Sequence, residues 1–144
     1  MPTEAQWEKA AGWTGSQANL YPWGGSWEVE RCNNFFDTNP AGGGYTHEWT
    51  AVVGSYPSGA SPYGCQDMVG NVYEWCQDWF KSYPGSASPF DYTNTYRTVR
   101  GGSFTDSGSI FGRCAYRLLN EPAWLVWQSP NVVSSNFGFR LARD

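Results

Sequence analysis

Charge is scarce in this chain. Only 15% of its 144 residues are Asp, Glu, Lys or Arg, against about 25% in an ordinary soluble domain. Nine scattered basic residues face 13 acidic ones, a formal charge of −4. That leaves no basic face for phosphates, so no nucleic-acid partner is expected. No apolar run approaches the roughly 20 residues of a membrane span, and no membrane insertion is expected. The first ten residues carry Glu4 and Glu8 where a signal peptide would have an apolar stretch, so no export signal is expected within this chain. Histidine occurs once, as His47, in a Gly-rich stretch with no nucleophile motif near it. The four cysteines (Cys32, Cys65, Cys76 and Cys114) show no CxxC spacing. A zinc site and a Ser-His-Asp triad are both disfavoured, and buried free thiols are the expectation.

Aliphatic side chains are few as well: five Leu, one Ile and nine Val. Such poverty signals disorder when net charge is high and rings are rare. Here rings are abundant, with nine Trp, nine Tyr and eight Phe. The core is expected to be built from aromatics. The length fits one domain, and 17 Gly with nine Pro predict a loop-rich fold with short elements.

Thr3-Glu4-Ala5-Gln6 reads as a capping box opening a short helix, ended by Gly12, with Trp7, Ala10 and Ala11 on one face. Glu4 and Glu8 share a face at i, i+4 and read as solvated. Only Ala51-Val52-Val53 looks strand-like between residues 12 and 64. Gly70 to Cys76 fits helix or strand periodicity equally. Residues 82–95 read as a loop, residues 98–100 as a strand breaking at Gly101-Gly102, and Asn136 to Arg143 as a closing strand. Asp78 and Asp91 have no evident partner, and Arg100, Arg117 and Arg140 are expected to pair with acids or stack on rings.

Several segments together resemble one family. Pro2 to Glu8, Tyr21-Pro22-Trp23-Gly24, Gly54 to Pro57, Tyr63 to Cys76, Val99 to Phe104, Ala115-Tyr116-Arg117 and Gly138-Phe139-Arg140 look, in order, like motifs of the formylglycine-generating enzyme (sulfatase-modifying factor) family. The resemblance implies an α+β fold of the C-type lectin-like kind over residues 1–144. Its scaffold rings would include Trp7, Trp23, Tyr63, Tyr73, Trp75 and Phe139. Oxidases of this family hold copper(I) between two cysteines. Cys114 fills one place and Ser109 stands where the other is expected, so no copper and no catalytic residue are expected. The family also implies a calcium ion on the Asp67 and Glu74 carboxylates and the carbonyls of Gly70 and Val72, a donor set that suits calcium. The alternative is that Glu74 pairs with an arginine, Arg100 or Arg117. A second family calcium site would use Asn33 or Asn34, but its acidic partner is not at the expected spacing.

A second branch of the family fits the C-terminal part: the variable proteins of diversity-generating retroelements. The resemblance places a variable ligand-binding region at 103–140. Its candidate contacts are Thr105, Asp106, Ser107, Ser109, Phe111, Tyr116, Leu118, Leu119 and Asn120, with Trp124 and Trp127 added for their apolar area. Adenine-directed mutation of AAC codons reaches the first nine of these residues but not Trp. The implied partner is a protein or other macromolecule, met by a monomer on a virion or cell surface. Two other functions stay open: an oxidase or degenerate relative using Cys114, and a docking module of a larger enzyme or lipoprotein.

Overall fold

The computed structural model describes residues 1–35, 49–87, 89–106, 109–120 and 135–142. One helix, α1 (Glu4–Gly12), packs on a small mixed sheet of β1 (Tyr73–Trp79), β2 (Arg97–Arg100), β3 (Leu118–Asn120) and β4 (Phe137–Gly138). The strand order is β3-β2-β1-β4. Neighbours run antiparallel except β1 and β4, which are parallel with Tyr73 opposite Phe137. Two single 3-10 turns, Val29–Arg31 and Pro57–Gly59, interrupt the long loops.

Helix α1 starts as the sequence predicts. The Thr3 hydroxyl accepts from the Gln6 N–H, and the Gln6 side chain accepts from the Thr3 N–H. Trp7 and Ala11 are buried and Ala10 is partly so, forming the inner stripe. They meet Met68, Cys76 and Cys114 in the central apolar cluster, with Cys65 at its edge. All four cysteines are free thiols, and Cys32, Cys76 and Cys114 are buried. Burial pushes the Cys76 and Cys114 thiols up to about 12, although the Arg100 guanidinium pulls both down. Both should resist a thiol reagent in the folded protein and react once it unfolds. The raised values also fix a pH dependence. Unfolded thiols ionise above about pH 9 while the folded ones stay neutral to about 12. Stability is then full below pH 9 and falls through that window, by up to about 1.4 kcal/mol per pH unit for each thiol. Urea melts at pH 8 and pH 10 check this.

The ambiguous segment resolves as strand β1. Its N-terminal boundary is set by left-handed backbone at Gly70 and Asn71, which a continuing helix cannot contain. At Gly70 an added Cβ would stand 2.2 Å from the Asn33 carbonyl oxygen, so the chain passes there only because the residue is glycine. A bulge between Trp75 and Trp79 shifts the register against β2.

The brief strand expected at Ala51-Val52-Val53 is absent. Val52 is 81% exposed on a turn. The Asn71 side chain takes the hydrogen bonds of Ala51, accepting from its N–H at 2.8 Å and donating to its carbonyl at 3.3 Å, where a partner strand would otherwise pair. The closing strand is shorter than expected, because only Phe137–Gly138 pair with β1 and Arg140 then turns inward. Tyr63 and Phe139, expected among the rings holding the body together, are exposed. Other rings do hold the loops. Tyr21, Trp23 and Trp27 form a three-ring cluster with centroids 5.3–5.7 Å apart. Phe80, Phe90, Tyr92 and Tyr96 make a chain of ring contacts across loop 82–95.

Candidate binding face and the clamps that hold it

Among the described residues of 103–140, four clamps help hold the chain against the rest of the domain. The first is Asp106. Its Oδ2 accepts from the Ser103 N–H at 2.7 Å and the Ser103 hydroxyl at 2.9 Å. Its side chain also hydrogen-bonds the Tyr73 phenol, whose pKa is raised well above the ordinary range by burial first and by Asp106 second. The second is Cys114. Its N–H donates to the Leu20 carbonyl at 2.9 Å, and its own carbonyl accepts from the Arg100 guanidinium at 2.6 Å.

The third clamp is Glu4, whose expected solvated face is not found. Glu4 is buried. Its Oε1 accepts from Arg117 Nε at 2.5 Å and Arg100 Nη1 at 3.0 Å, and its Oε2 accepts from Arg117 Nη2 at 2.8 Å. Arg100, itself fully buried, also reaches Glu8. Burial lowers the Arg117 pKa, but the hydrogen bond and charge of Glu4 outweigh it and hold the group above its ordinary value. The Arg117 guanidinium lies 4.7 Å from the Phe80 ring centroid and 4.2 Å from that of Tyr83. Asp78, apparently partnerless in sequence, accepts from the Glu4 N–H at 2.6 Å and so supports the helix start. Asp91 likewise finds Thr93, whose N–H donates to it at 2.8 Å.

The fourth clamp is Glu74 with Arg140, an arginine other than the two anticipated. Arg140 donates from Nη2 to Oε1 and from Nε to Oε2, both at 2.5 Å, and to the carbonyls of Gln66 and Asp67. Trp7 Nε1 completes the carboxylate at 2.6 Å. Beside it, Phe137 stacks on Tyr73 at 5.4 Å and touches Trp75.

This geometry bears on the expected calcium set. Both Glu74 oxygens are taken by Arg140 and Trp7, and Asp67 Oδ2 accepts from the Gly54 N–H at 2.7 Å. Arg140 thus already supplies a counter-charge to Glu74.

The candidate contacts divide sharply. Thr105 and Leu119 are exposed, while Ser109, Phe111, Tyr116 and Leu118 are half-buried. Phe111 and Tyr116 meet edge to face at 5.3 Å, so each ring is partly spent on the other. Asp106 is consumed by its own turn. Asn120 stands opposite Arg97 at the end of β3. Ser107, Trp124 and Trp127 lie outside the described residues. Sequence reading missed Ile110 and Arg113, both exposed. Ile110 could have been found as the chain's single isoleucine, set in a Ser/Gly stretch; Arg113 reads from sequence as part of the Arg113–Arg117 motif.

A helix clasped to a small mixed sheet by buried arginine–glutamate pairs, with loops making up the rest, is the class of domain this geometry defines. The sulfatase-modifying factor enzyme 1-like domain model matches residues 1–144, and the chain belongs to that family. It is 38% identical over 151 residues to the serine/threonine-protein kinase pkn1 of Chlamydia pneumoniae, matching all of this chain and 21% of that protein. It is 37% identical over 160 residues to the formylglycine-generating enzyme of Streptomyces coelicolor, matching all of this chain and 46% of the enzyme. The chain thus spans less than half the length of these curated relatives. Among solved structures, Treponema denticola variable protein 1 superposes with a TM-score of 0.64 at 28% identity, over 96% of this chain and 45% of that one. Its likeness supports the resemblance to variable proteins made from the motifs.

Proposed function

We propose that this is a non-catalytic ligand-binding domain of C-type lectin-like fold. It presents a diversified face on residues 103–140, in the manner of retroelement variable proteins. The observation that carries this reading is the separation of parts within the window. Asp106, Cys114, Arg117 and Arg140 face inward and hold the backbone, while the side chains of Ile110, Arg113 and Leu119 are exposed and hold nothing; Thr105, also exposed, shares a hydrogen bond with the Ser103 hydroxyl at 2.8 Å. Side chains of the second kind can change without disturbing the first. The ligand is a protein or other macromolecule, and the chain acts as a monomer at a virion or cell surface.

The competing reading is copper-dependent oxidation, favoured by the formylglycine-generating relatives. Against it stand the burial of Cys114, a thiol pushed up to about 12, and Ser109 in place of a second sulfur ligand, since copper(I) selects soft thiolates. Titrating the reduced protein with copper(I) against a chelating indicator decides between them. No stoichiometric uptake is expected, and one equivalent bound tightly would favour the oxidase. A third reading, a docking module within a larger protein, is favoured by the kinase relatives, in which the matching part is a fifth of the chain. Calcium is tested in parallel: a chelator is expected to leave the melting temperature unchanged.

A further inference from the structure

Among the arginines of the described residues, one is left without a partner. Arg31 pairs with Glu28, Arg97 lies on the Trp79 ring, Arg100 and Arg117 share Glu4, and Arg140 holds Glu74. Arg113 is exposed, and among the described residues no carboxylate, carbonyl or ring takes its guanidinium.

Its backbone is nonetheless held from both sides. Gly112 is pressed onto Trp27 and Val69, where an added Cβ would stand 2.4 Å and 2.8 Å from their side chains, and Trp27 belongs to the three-ring cluster. Cys114 is buried and tied to the Leu20 carbonyl and Arg100. The Arg113 N–H donates to the Ile110 carbonyl and its own carbonyl accepts from the Tyr116 N–H, so it stands at a junction of two turns. These backbone bonds set two exposed aliphatics close by: Ile110, 56% accessible, bonded to the Arg113 N–H, and Leu20, 42% accessible, bonded to the Cys114 N–H.

We propose that Arg113, flanked by Ile110 and Leu20, is the anchor of the binding face, and that its occupant is a protein segment carrying a carboxylate between aliphatic side chains. A rigidly presented arginine loses little backbone freedom on binding and offers a planar two-pronged donor that matches a carboxylate. Arginine is also among the residues that most often dominate interfaces. The aliphatic flanks call for apolar neighbours, which a nucleic acid or polysulfate does not offer. The chain's charge of −4 also repels a polyanion while tolerating a single acid. The proposal rests on the binding-face reading and names the chemistry of its ligand.

The test pans a random phage-displayed peptide library on the wild-type chain and measures the enriched peptides on variants. Enriched peptides are expected to share Asp or Glu flanked by Leu, Ile, Val or Phe. Their affinity should fall about tenfold or more on Arg113→Gln and less on Arg113→Lys, with melting temperatures unchanged because the side chain is exposed. Arg113→Glu should instead enrich basic peptides. Peptides without an acidic consensus, or equal affinity on Arg113→Gln where Leu119→Ala weakens binding, would overturn the anchor and leave the face standing. If no enriched peptide responds to any of these substitutions, the face and the anchor fail together.

Discussion

Replacing Glu4 with Ala is expected to cost about 3–5 kcal/mol, the scale for breaking a buried ion pair from one side. Glu4 answers Arg117 through two hydrogen bonds and Arg100 through a third, and Arg100 is wholly buried. Without the carboxylate, Arg100 keeps only Glu8, the Cys114 carbonyl and the Trp7 ring 5.2 Å away. Its Nε already lacks a partner. Arg117 would also be released from its place between Phe80 and Tyr83, and with it the backbone leading into β3. The melting temperature should drop by roughly 10 °C or more for a domain of this size. Glu8→Ala is the internal control. That carboxylate is more than a third exposed, so its loss should cost no more than about 1 kcal/mol. Thermal denaturation of the two variants distinguishes a central clamp from a surface pair; equal losses would show that Glu4 is not the hub.

The second large effect is expected at Glu74. Glu74→Ala removes the acceptor of Arg140 and Trp7 together, at a cost of about 3 kcal/mol or more. It differs from Glu4→Ala in where the chain loosens. Arg140 anchors the end of the window, so amide exchange should quicken around residues 136–141 and in the segment around Gln66 and Asp67, whose carbonyls it binds. The region around Arg117 should keep its protection. Arg140→Met, which leaves Glu74 buried with Trp7 as its remaining donor, should show the same regional pattern. If calcium were the true counter-ion, added calcium would restore Arg140→Met to wild-type stability; no rescue is expected. Amide exchange read by mass spectrometry, with and without calcium, checks both points.

What was legible in the sequence was local. The Thr3–Gln6 capping box lies within four residues, and the structure keeps it intact. The ordered motifs gave away the family, because their spacing survives where the loops between them do not. The two glutamate clamps were illegible because each joins residues far apart in the chain. Glu4 meets Arg117 across 113 positions and Glu74 meets Arg140 across 66. On a helical wheel Glu4 and Glu8 look like any solvated acid pair, since nothing nearby announces two arginines arriving from the sheet and its flanking loop. Periodicity failed at residues 72–76 because β1 is buried on both faces near its start, with Tyr73, Glu74 and Cys76 all inside. An alternation signal needs one wet face. Val52 and Val53 misled for the opposite reason: their β propensity is real, but a side-chain amide from Asn71 replaced the partner strand.

The most direct test of a binding face separable from its scaffold is a library randomised together at Ile110, Arg113 and Leu119 and sorted for protease resistance. Most members are expected to remain as resistant as the wild-type chain, with no preferred residue at any of the three positions. Survivors that return to Ile, Arg and Leu would contradict the separation, because those side chains would then belong to the fold and not to a ligand.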